Sequence, residues 1–304
     1  MSKMDNKFNV IGRGWNALFT TILCIVSLTM IIPMALVVIV SFSSELSIAN
    51  KGFSFFPEKW TLEGYRYLAQ MGDQVLRSYG ITIFYTVAGT LMSLTVMSLY
   101  AYVLAQRSFR HHKFMTWILF FTMLFGGGLV PSYILNVRYL HIYDTIWVFL
   151  LPSLVSAYNV IILRTFIQTT IPESLFEAAR IDGANHFQVF LKIVMPLYKA
   201  GLATIGLFNV VGRWNDWFTG VLYIENPNLV PLQTLLQKIQ SNIDFIKQNA
   251  AIAGTPDAIE MMRNIPQQNL RMACMIVIIL PVLAAYPFFQ RYFVSGLTIG
   301  SVKE

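Results

Sequence analysis

Charged residues are scarce in this sequence. Only 12% of its 304 residues are Asp, Glu, Lys or Arg, and the mean hydropathy is +0.57. A soluble domain normally carries roughly 25% charged residues. Each charge at the middle of a bilayer costs about 2.5–3.5 kcal/mol on insertion scales, so a chain whose surface faces lipid must limit them. The composition therefore excludes an ordinary soluble protein and indicates a membrane protein.

Cysteines and nucleotide-binding glycine motifs are also lacking. The two cysteines, Cys24 and Cys274, both lie within apolar runs, so the sequence indicates neither a disulfide framework nor a metal cluster. The pair His111 and His112 belongs to a basic loop, with metal binding as the weaker alternative. No glycine is followed by lysine, which excludes a P-loop for nucleotide phosphates. We therefore expect no metal, no cofactor and no catalytic activity in this chain.

Long apolar runs dominate what is present. A transmembrane helix needs roughly 20 apolar residues to cross the hydrocarbon core. We predict an all-α polytopic membrane protein with six transmembrane helices, at residues 15–42, 79–105, 114–135, 145–167, 200–224 and 270–293. The first run is too long for a cleaved signal peptide and lacks a cleavage site, so we expect it to be retained. Gly126–Gly128 and Pro131 predict a weakened or bent third helix, serving either close packing or a gate.

The distribution of Lys and Arg predicts the orientation. These residues precede the first span and crowd the second-to-third and fourth-to-fifth connections, at Lys3, Lys7, Arg13, Arg107, Arg110, Lys113, Arg164, Arg180, Lys192 and Lys199. The positive-inside rule then places residues 1–14, the loop 172–196 and the tail 294–304 in the cytoplasm, and the loops 43–78 and 225–269 outside. The same bias explains the net charge of +7 without nucleic acid as a partner.

The cytoplasmic loop 172–196 has the pattern of a helical hairpin. Pro172 suits the first turn of a helix, Gly183 suits its end, and Asn185 can cap a second helix. The predicted product is a helix–Gly–helix hairpin with an exposed apolar ridge. The ridge comprises Leu175, Phe176, Ala178, Ala179, Phe187, Val189, Phe190 and Ile193. Amphipathicity alone leaves open whether that ridge contacts a partner protein or lies on the membrane surface.

The spacing within this loop resembles the EAA motif of ABC-importer permeases. Glu177-Ala178-Ala179 is followed after three residues by Gly183, and nine residues later by Ile193 and Pro196. Met195 stands where the family has Leu, a swap that conserves volume. The resemblance implies that the loop docks into a groove on a separate ATPase subunit. It also implies that the two alanines allow close approach, that Glu177 pairs with a basic residue of the partner, and that Gly183 sets the bend.

The C-terminal residues Gln290–Glu304 resemble the ending of the maltose-type, oligosaccharide-importing branch of the same family. That resemblance implies a carbohydrate importer in the bacterial cytoplasmic membrane. It implies as partners a second homologous permease, a dimeric ATPase that holds ATP and Mg, an extracellular solute-binding protein, the sugar and membrane lipid. The alternatives are an importer of a peptide or amino acid, or an ion-coupled secondary carrier.

Polar residues in the predicted fifth span mark a candidate substrate pathway. Asn209, Arg213, Asp216 and Gly220 recur at helical spacing, so one continuous helix would place them on one face. Aromatic rings beside hydrogen-bonding groups suit sugars, and polar groups at membrane depth favour a cavity or the bundle interior. The full candidate set is Asn209, Arg213, Trp214, Asn215, Asp216, Trp217, Tyr133 and Tyr158. The alternative for Arg213 and Asp216 is an ion pair that holds helices together.

Overall fold

A computed structural model describes residues 12–106, 108–253 and 267–300. Within these ranges the regular structure is helical, with one isolated antiparallel bridge between Ser43 and Trp60. The α-helices in chain order are α1 (Arg13–Ser41), α2 (Glu45–Lys51), α3 (Glu63–Gln70), α4 (Gly72–Ala105), α5 (His112–Leu124), α6 (Leu129–Ile134), α7 (Trp147–Leu150), α8 (Ala157–Thr170), α9 (Glu173–Ile181), α10 (His186–Val189), α11 (Met195–Leu197), α12 (Lys199–Trp214), α13 (Phe218–Tyr223), α14 (Leu232–Ala253) and α15 (Gln268–Gly300). Shorter turns of π-helix (Leu135–Tyr139 and Phe190–Val194) and 3-10 helix (Pro227–Leu229) extend or join them.

Some predicted segments lie partly outside the described residues. These parts are residues 1–11 of the predicted N-terminal segment, Arg107, residues 254–266 of the second external loop and residues 301–304 of the tail. The rest of that external loop contains the 22-residue helix α14. Helix α15 continues to Gly300, beyond residue 293, where we predicted the sixth span to end.

Three described helices are long and apolar enough to cross a membrane on their own. They are Gly14–Ser41, Gly72–Ala105 and Gln268–Pro287, which match the predicted first, second and sixth spans. Two bent pairs qualify if each pair counts as one span: His112–Leu124 with Leu129–Tyr139, and His186–Leu197 with Lys199–Trp214. The first pair bends by 114° at the glycine run, where Gly128 has a φ of 84°. The predicted bend in the third span is therefore confirmed.

The predicted fourth and fifth spans are wrong as continuous helices. The fourth is divided into the four-residue α7 and the 14-residue α8, with Pro152 in the break. Proline has no N–H to continue a helix. At about 1.5 Å per residue, α8 is only about 21 Å long, against about 30 Å of hydrocarbon. The fifth predicted span is divided between α12 and α13, and α12 meets the preceding helical run at 80°.

The chain forms two compact units. One comprises Met71–Ser241 and Ile278–Glu304. In it α4 packs against α8 and α12. Their apolar core includes Met97, Ala101, Leu163, Ile167, Val194 and Ile205, each at most 1% exposed. This core lies beneath the hairpin formed by α9 and α10, because side chains of both helices belong to the same buried cluster.

The other unit comprises Met1–Gln70 and Asn242–Val277. Several hydrogen bonds of this unit meet at the start of α15. The amide of Asn269 donates to the carbonyl oxygens of Ser41 at 2.8 Å and Ser43 at 2.7 Å. The carboxylate of Glu45 accepts from the backbone N–H groups of Gln267, Gln268 and Asn269 at 3.1–3.2 Å. The carboxylate therefore caps the start of α15 and interacts favourably with the positive end of its dipole.

Candidate functional site

The first turn of the hairpin is closed by glycine. Helix α9 ends at Ile181, and Gly183 follows in the left-handed region with a φ of 77°. The Ala184 N–H donates to the Ala179 carbonyl at 2.9 Å, and the Gly183 N–H donates to the Arg180 carbonyl at 3.1 Å. This pair of bonds is a Schellman motif, in which glycine is favoured because it lacks a Cβ. The predicted end of the first helix at Gly183 is confirmed.

The second helix of the hairpin begins with a reciprocal cap. The Asn185 side chain accepts from the Gln188 N–H at 2.9 Å, and the Gln188 side chain accepts from the Asn185 N–H at 3.0 Å. The helical run then continues through the π-helical turn to Leu197. The predicted cap at Asn185 and the predicted hairpin are therefore confirmed.

Packing divides the predicted apolar ridge into two faces. Phe176, Ala179, Val189 and Phe190 are at most 9% exposed and belong to the apolar core. Their predicted exposure is wrong, because the hairpin has to cover the ends of α4 and α8. The outward face instead carries Leu175, Glu177, Ala178, Ile181 and Phe187. Ile181 is 86% exposed and Phe187 is 63% exposed.

The EAA-like residues are consequently distributed over both faces. Glu177, Ala178, Gly183 and Pro196 are exposed, whereas Ala179 is 6% exposed and packs inside this chain. Ile193 is half-buried against the apolar core. Of the two alanines, Ala178 is the one whose face is open to another molecule.

A polar pocket lies beside α9, and sequence reasoning missed it. Its volume is about 170 Å³, and its walls come from the ends of α4 and α8 and from α9. The Arg180 guanidinium donates to Gln106 Oε1 and to Ser108 Oγ, both at 3.3 Å. Glu173 and Glu177 also line the pocket. These two bonds connect α9 to the segment that directly follows α4.

Arg213 lies at the divided fourth span. It is 6% exposed, and its Nη1 donates to the Phe149 carbonyl at 2.6 Å. Its Nη2 donates to the Ser153 carbonyl at 3.0 Å and to Ser93 Oγ at 2.8 Å. Non-helical backbone at membrane depth is tolerated where protein groups satisfy it. Arg213 supplies donors to two carbonyls at the break between α7 and α8.

Gly89 of α4 makes room for that guanidinium. A Cβ at position 89 would lie 2.5 Å from Arg213 Nη1 and 2.7 Å from its Cζ. Both distances are far below van der Waals contact. A larger residue at position 89 would therefore force the guanidinium to move.

The Arg213–Asp216 ion pair that the sequence left open is absent from the described part of the chain. Helix α12 ends at Trp214, and Asp216 Oδ1 instead accepts from the Thr219 N–H at 3.0 Å. This bond satisfies a free N–H in the first turn of α13. Asp216 and Gly220 therefore do not continue one helical face from Asn209 and Arg213. Among the described residues, no three His, Cys, Asp or Glu side chains form a group that could hold a metal ion.

The remaining candidates around this break differ in exposure. Trp214 is buried, and its Nε1 donates to the Ile278 carbonyl at 3.1 Å. Asn215 is exposed, donates to the Val211 carbonyl and accepts from Gln233. Trp217 is 44% exposed, with its ring edge-on to Phe218. Asn209 donates to the Ile205 carbonyl within its own helix. Trp217 and Asn215 thus keep surface that a ligand can contact.

The two tyrosine candidates lie in different environments. Tyr133 is half-buried, and its ring stacks on that of Tyr223 with centroids 5.4 Å apart. Tyr158 is 58% exposed on α8. Tyr223 also accepts a hydrogen bond from the Asn136 amide at 3.0 Å. Tyr133 therefore contributes to a connection between the third predicted span and α13.

A turn at residues 141–144 clamps the end of α13. Asp144 Oδ1 accepts from the backbone N–H groups of Glu225 and Asn226 at 3.0 and 2.8 Å. The Asp144 N–H donates to the Tyr223 carbonyl at 3.0 Å, with Asp144 at a φ of 52°. Tyr143 donates to Glu225 Oε1 at 2.7 Å, and this bond raises the pKa of its phenol to about 12.

We expect Asp144→Ala to destabilise the protein by about 1–2 kcal/mol, because two backbone N–H groups lose their acceptor. Alanine is also disfavoured at the positive φ of this residue. Thermal unfolding in detergent measures the effect. Asp144→Asn is the matched control, since it keeps an oxygen acceptor and tolerates left-handed backbone. Equal melting temperatures for all three proteins would contradict the proposed clamp.

Residues 113–299 match the family described as the binding-protein-dependent transport system inner membrane component. The chain belongs to this family. It is 37% identical to protein LplC of Bacillus subtilis over 275 residues, covering 90% of this chain and 89% of LplC. It is 35% identical over 292 residues to the Bacillus subtilis polygalacturonan/rhamnogalacturonan transport system permease protein YtcP, covering 96% of this chain and 99% of YtcP.

A solved structure is also similar to this inner membrane component. The described structure aligns with a chain from a bacterial ABC transporter involved in the import of the acidic polysaccharide alginate. The TM-score is 0.77 and the sequence identity is 28%, covering 93% of this chain and 99% of that chain. The EAA-like hairpin, α12 and α13 all lie within the matched family region, whereas α1 to α4 precede it. The family resemblance seen in the sequence is confirmed, and with it a multi-pass membrane subunit of a transport system.

Proposed function

We propose that this chain is one of two homologous permease subunits in an ATP-driven, binding-protein-dependent oligosaccharide importer. One observation carries the proposal: the preformed hairpin presents Glu177, Ala178, Ile181 and Phe187 on an exposed face while its other face is fixed in the core. A rigid, partly apolar projection of this kind suits docking to another protein. The family membership supports assigning that role to it.

The proposed substrate class rests on relatives. YtcP is described as a polygalacturonan/rhamnogalacturonan permease, and AraQ of Halalkalibacterium halodurans, 24% identical over 281 residues, as an arabinooligosaccharide permease. The structural neighbour takes part in alginate import. The substrates of these proteins support a carbohydrate of several sugar units as the substrate of this chain. The exposed Trp217 and Asn215 supply an aromatic face and an amide of the kind that sugars use.

The proposed mechanism needs no covalent chemistry in this chain. A separate dimeric ATPase binds ATP and Mg, and its closure displaces the hairpin. Arg180 passes that displacement to the end of α4 through Gln106 and Ser108. Because α4 packs on α8 and α12, the helices of this unit move together. An extracellular solute-binding protein delivers the sugar, and the hairpin and both termini lie on the cytoplasmic side of a bacterial cytoplasmic membrane.

Reconstitution tests the proposal directly. The chain, its second permease and the ATPase are placed in proteoliposomes, the binding protein is added outside, and uptake of labelled oligogalacturonides, arabino-oligosaccharides, peptides and amino acids is measured. We expect ATP-dependent uptake of an oligosaccharide and none by this chain alone. Uptake of only a peptide or amino acid would overturn the substrate class. Ion-driven uptake by the chain alone would overturn the ABC mechanism.

We expect Trp217→Ala to lower oligosaccharide uptake about tenfold, because a sugar loses an aromatic stacking surface. ATP hydrolysis without substrate should change little, since Trp217 precedes α13 and is not part of the hairpin. The measurement is uptake across a range of sugar concentrations in the reconstituted complex. Phe208→Ala is the matched control, because Phe208 is a 53% exposed aromatic residue of α12. An unchanged uptake profile for Trp217→Ala would contradict a role in the pathway.

A further inference from the structure

The segment that follows α2 exposes an unusual concentration of aromatic side chains. Four of the eight residues 53–60 are aromatic. Their exposed fractions are 53% for Phe53, 39% for Phe55, 84% for Phe56 and 59% for Trp60. We call these four residues the aromatic patch. Exposed apolar surface of this extent marks a site of contact with membrane or protein.

The backbone of this segment is fixed to the end of α1. The Thr61 N–H donates to the Phe42 carbonyl at 2.7 Å, and the Ser44 N–H donates to the Lys59 carbonyl at 3.0 Å. The Glu58 N–H donates to Ser47 Oγ at 2.8 Å. The aromatic patch is therefore held at the level where α1 ends.

The length and exposure of α1 indicate where its end lies in a bilayer. The span Gly14–Ser41 has 28 residues, and none of its most apolar window is buried. At about 1.5 Å per residue the helix is about 42 Å long, which exceeds the roughly 30 Å hydrocarbon core. Its end therefore reaches the headgroup region. The aromatic patch lies beside this end of the exposed helix.

Charged neighbours fix the depth of the patch. Lys51 forms an ion pair with Glu58 at 3.4 Å, and Lys59 is exposed between the aromatic residues. Charged groups resist entry into hydrocarbon, whereas aromatic rings are enriched at the boundary between headgroups and acyl chains. The combination of charged groups and aromatic rings therefore favours the boundary between headgroups and acyl chains over the bilayer interior or bulk water.

We propose that Phe53, Phe55, Phe56 and Trp60 form a lipid-interface anchor that holds the end of α1 at the headgroup level. The occupant of this surface is phospholipid, at the boundary of headgroups and acyl chains. The anchor limits vertical movement of α1 within the bilayer. It does not depend on the transported substrate, and under the proposed topology it lies in the outer leaflet.

Spin labelling measures the depth of the patch. Phe56→Cys carries a nitroxide in a Cys24→Ala background, because Cys24 is exposed whereas Cys274 is buried. The full-length chain, assembled with its partner subunits, is placed in vesicles of phosphatidylethanolamine and phosphatidylglycerol. Leu28→Cys near the middle of α1, where the side chain is 55% exposed, gives the value for the bilayer interior. A free nitroxide in water gives the aqueous value.

We expect the ratio of oxygen to nickel-reagent collisions at position 56 to exceed the aqueous value about threefold, as for a group at 5–10 Å depth. It should remain below the value at position 28. A ratio equal to the aqueous value would overturn the anchor. Loss of access to both reagents, or protection that appears only after the solute-binding protein is added, would also overturn it by indicating a protein contact. Phe56 is 84% exposed, so the label itself should not disturb folding, and gel filtration checks this.

Discussion

Arg213→Leu is expected to destabilise this protein by about 3 kcal/mol or more, because two carbonyls and a hydroxyl each lose a charged hydrogen-bond donor. The carbonyls are those of Phe149 and Ser153, on either side of Pro152. Leucine fills part of the volume but offers no hydrogen bond. The melting temperature in detergent should fall by about 6 °C or more. The yield of monodisperse protein should fall with it.

The control for this substitution is Asn209→Ala. Asn209 lies one turn earlier in α12, and its amide bonds only to the Ile205 carbonyl of the same helix among the interactions described. We expect Asn209→Ala to lower the free energy of unfolding by well under half as much as Arg213→Leu. Arg213→Lys should fall in between, because one ammonium group does not reproduce the two-branched guanidinium. A stable Arg213→Leu protein with altered sugar selectivity would instead indicate a pathway residue.

Gly183→Pro is expected to reduce ATP-driven transport at least tenfold while the protein still inserts into the membrane. Proline fixes φ near −65°, whereas Gly183 has a φ of 77°, and it removes the N–H that donates to the Arg180 carbonyl. The turn between the two helices of the hairpin cannot then form as observed. Uptake and substrate-stimulated ATP hydrolysis in the reconstituted complex measure the effect.

Gly183→Asn tests whether transport needs the left-handed turn or glycine itself. Asparagine enters the left-handed region more readily than other residues with a side chain, and a Cβ at this position meets no atom within 4 Å. We expect it to retain most of the transport. Glu177→Lys reverses a charge on the exposed face without changing the turn, and it should also uncouple transport. Normal stimulated hydrolysis in the proline variant or the lysine variant would refute the coupling role.

The local structure of the hairpin could be predicted from the sequence because its determinants are local. The turn at Gly183 is closed by hydrogen bonds between residues three and five positions apart, and Asn185 caps through Gln188. Such interactions are completed within one or two helical turns. The bend at Gly126–Gly128 was predictable for the same reason.

The divided fourth and fifth spans depend on distant contacts, so hydropathy did not reveal them. Pro152 was visible, but a proline in an apolar run produces either a kink or a full break. The break is stabilised by Arg213, which lies more than 60 residues from Phe149. Hydropathy also does not reveal the break at Asn215 and Asp216, because hydropathy averaged over about 20 residues hides so short an interruption.

The sequence also did not predict which face of the hairpin packs against the core. Two neighbouring alanines look equivalent in sequence, yet Ala178 is exposed and Ala179 is buried. Which of them faces the core follows from how the hairpin seats on α4 and α8. The roles of these residues towards a partner remain predictions.

The close approach of Arg213 to Gly89 limits the substitutions that position 89 can accept. Replacing a helical glycine by alanine is a common way to stiffen a helix, and on α4 it would ordinarily be favourable. Here the added methyl group would occupy the position of the guanidinium. The effect of alanine at position 89 therefore depends on the residue at position 213, and we expect the effects of changes at the two positions to be non-additive. Positions 89 and 213 are thus coupled although they lie 124 residues apart in the sequence.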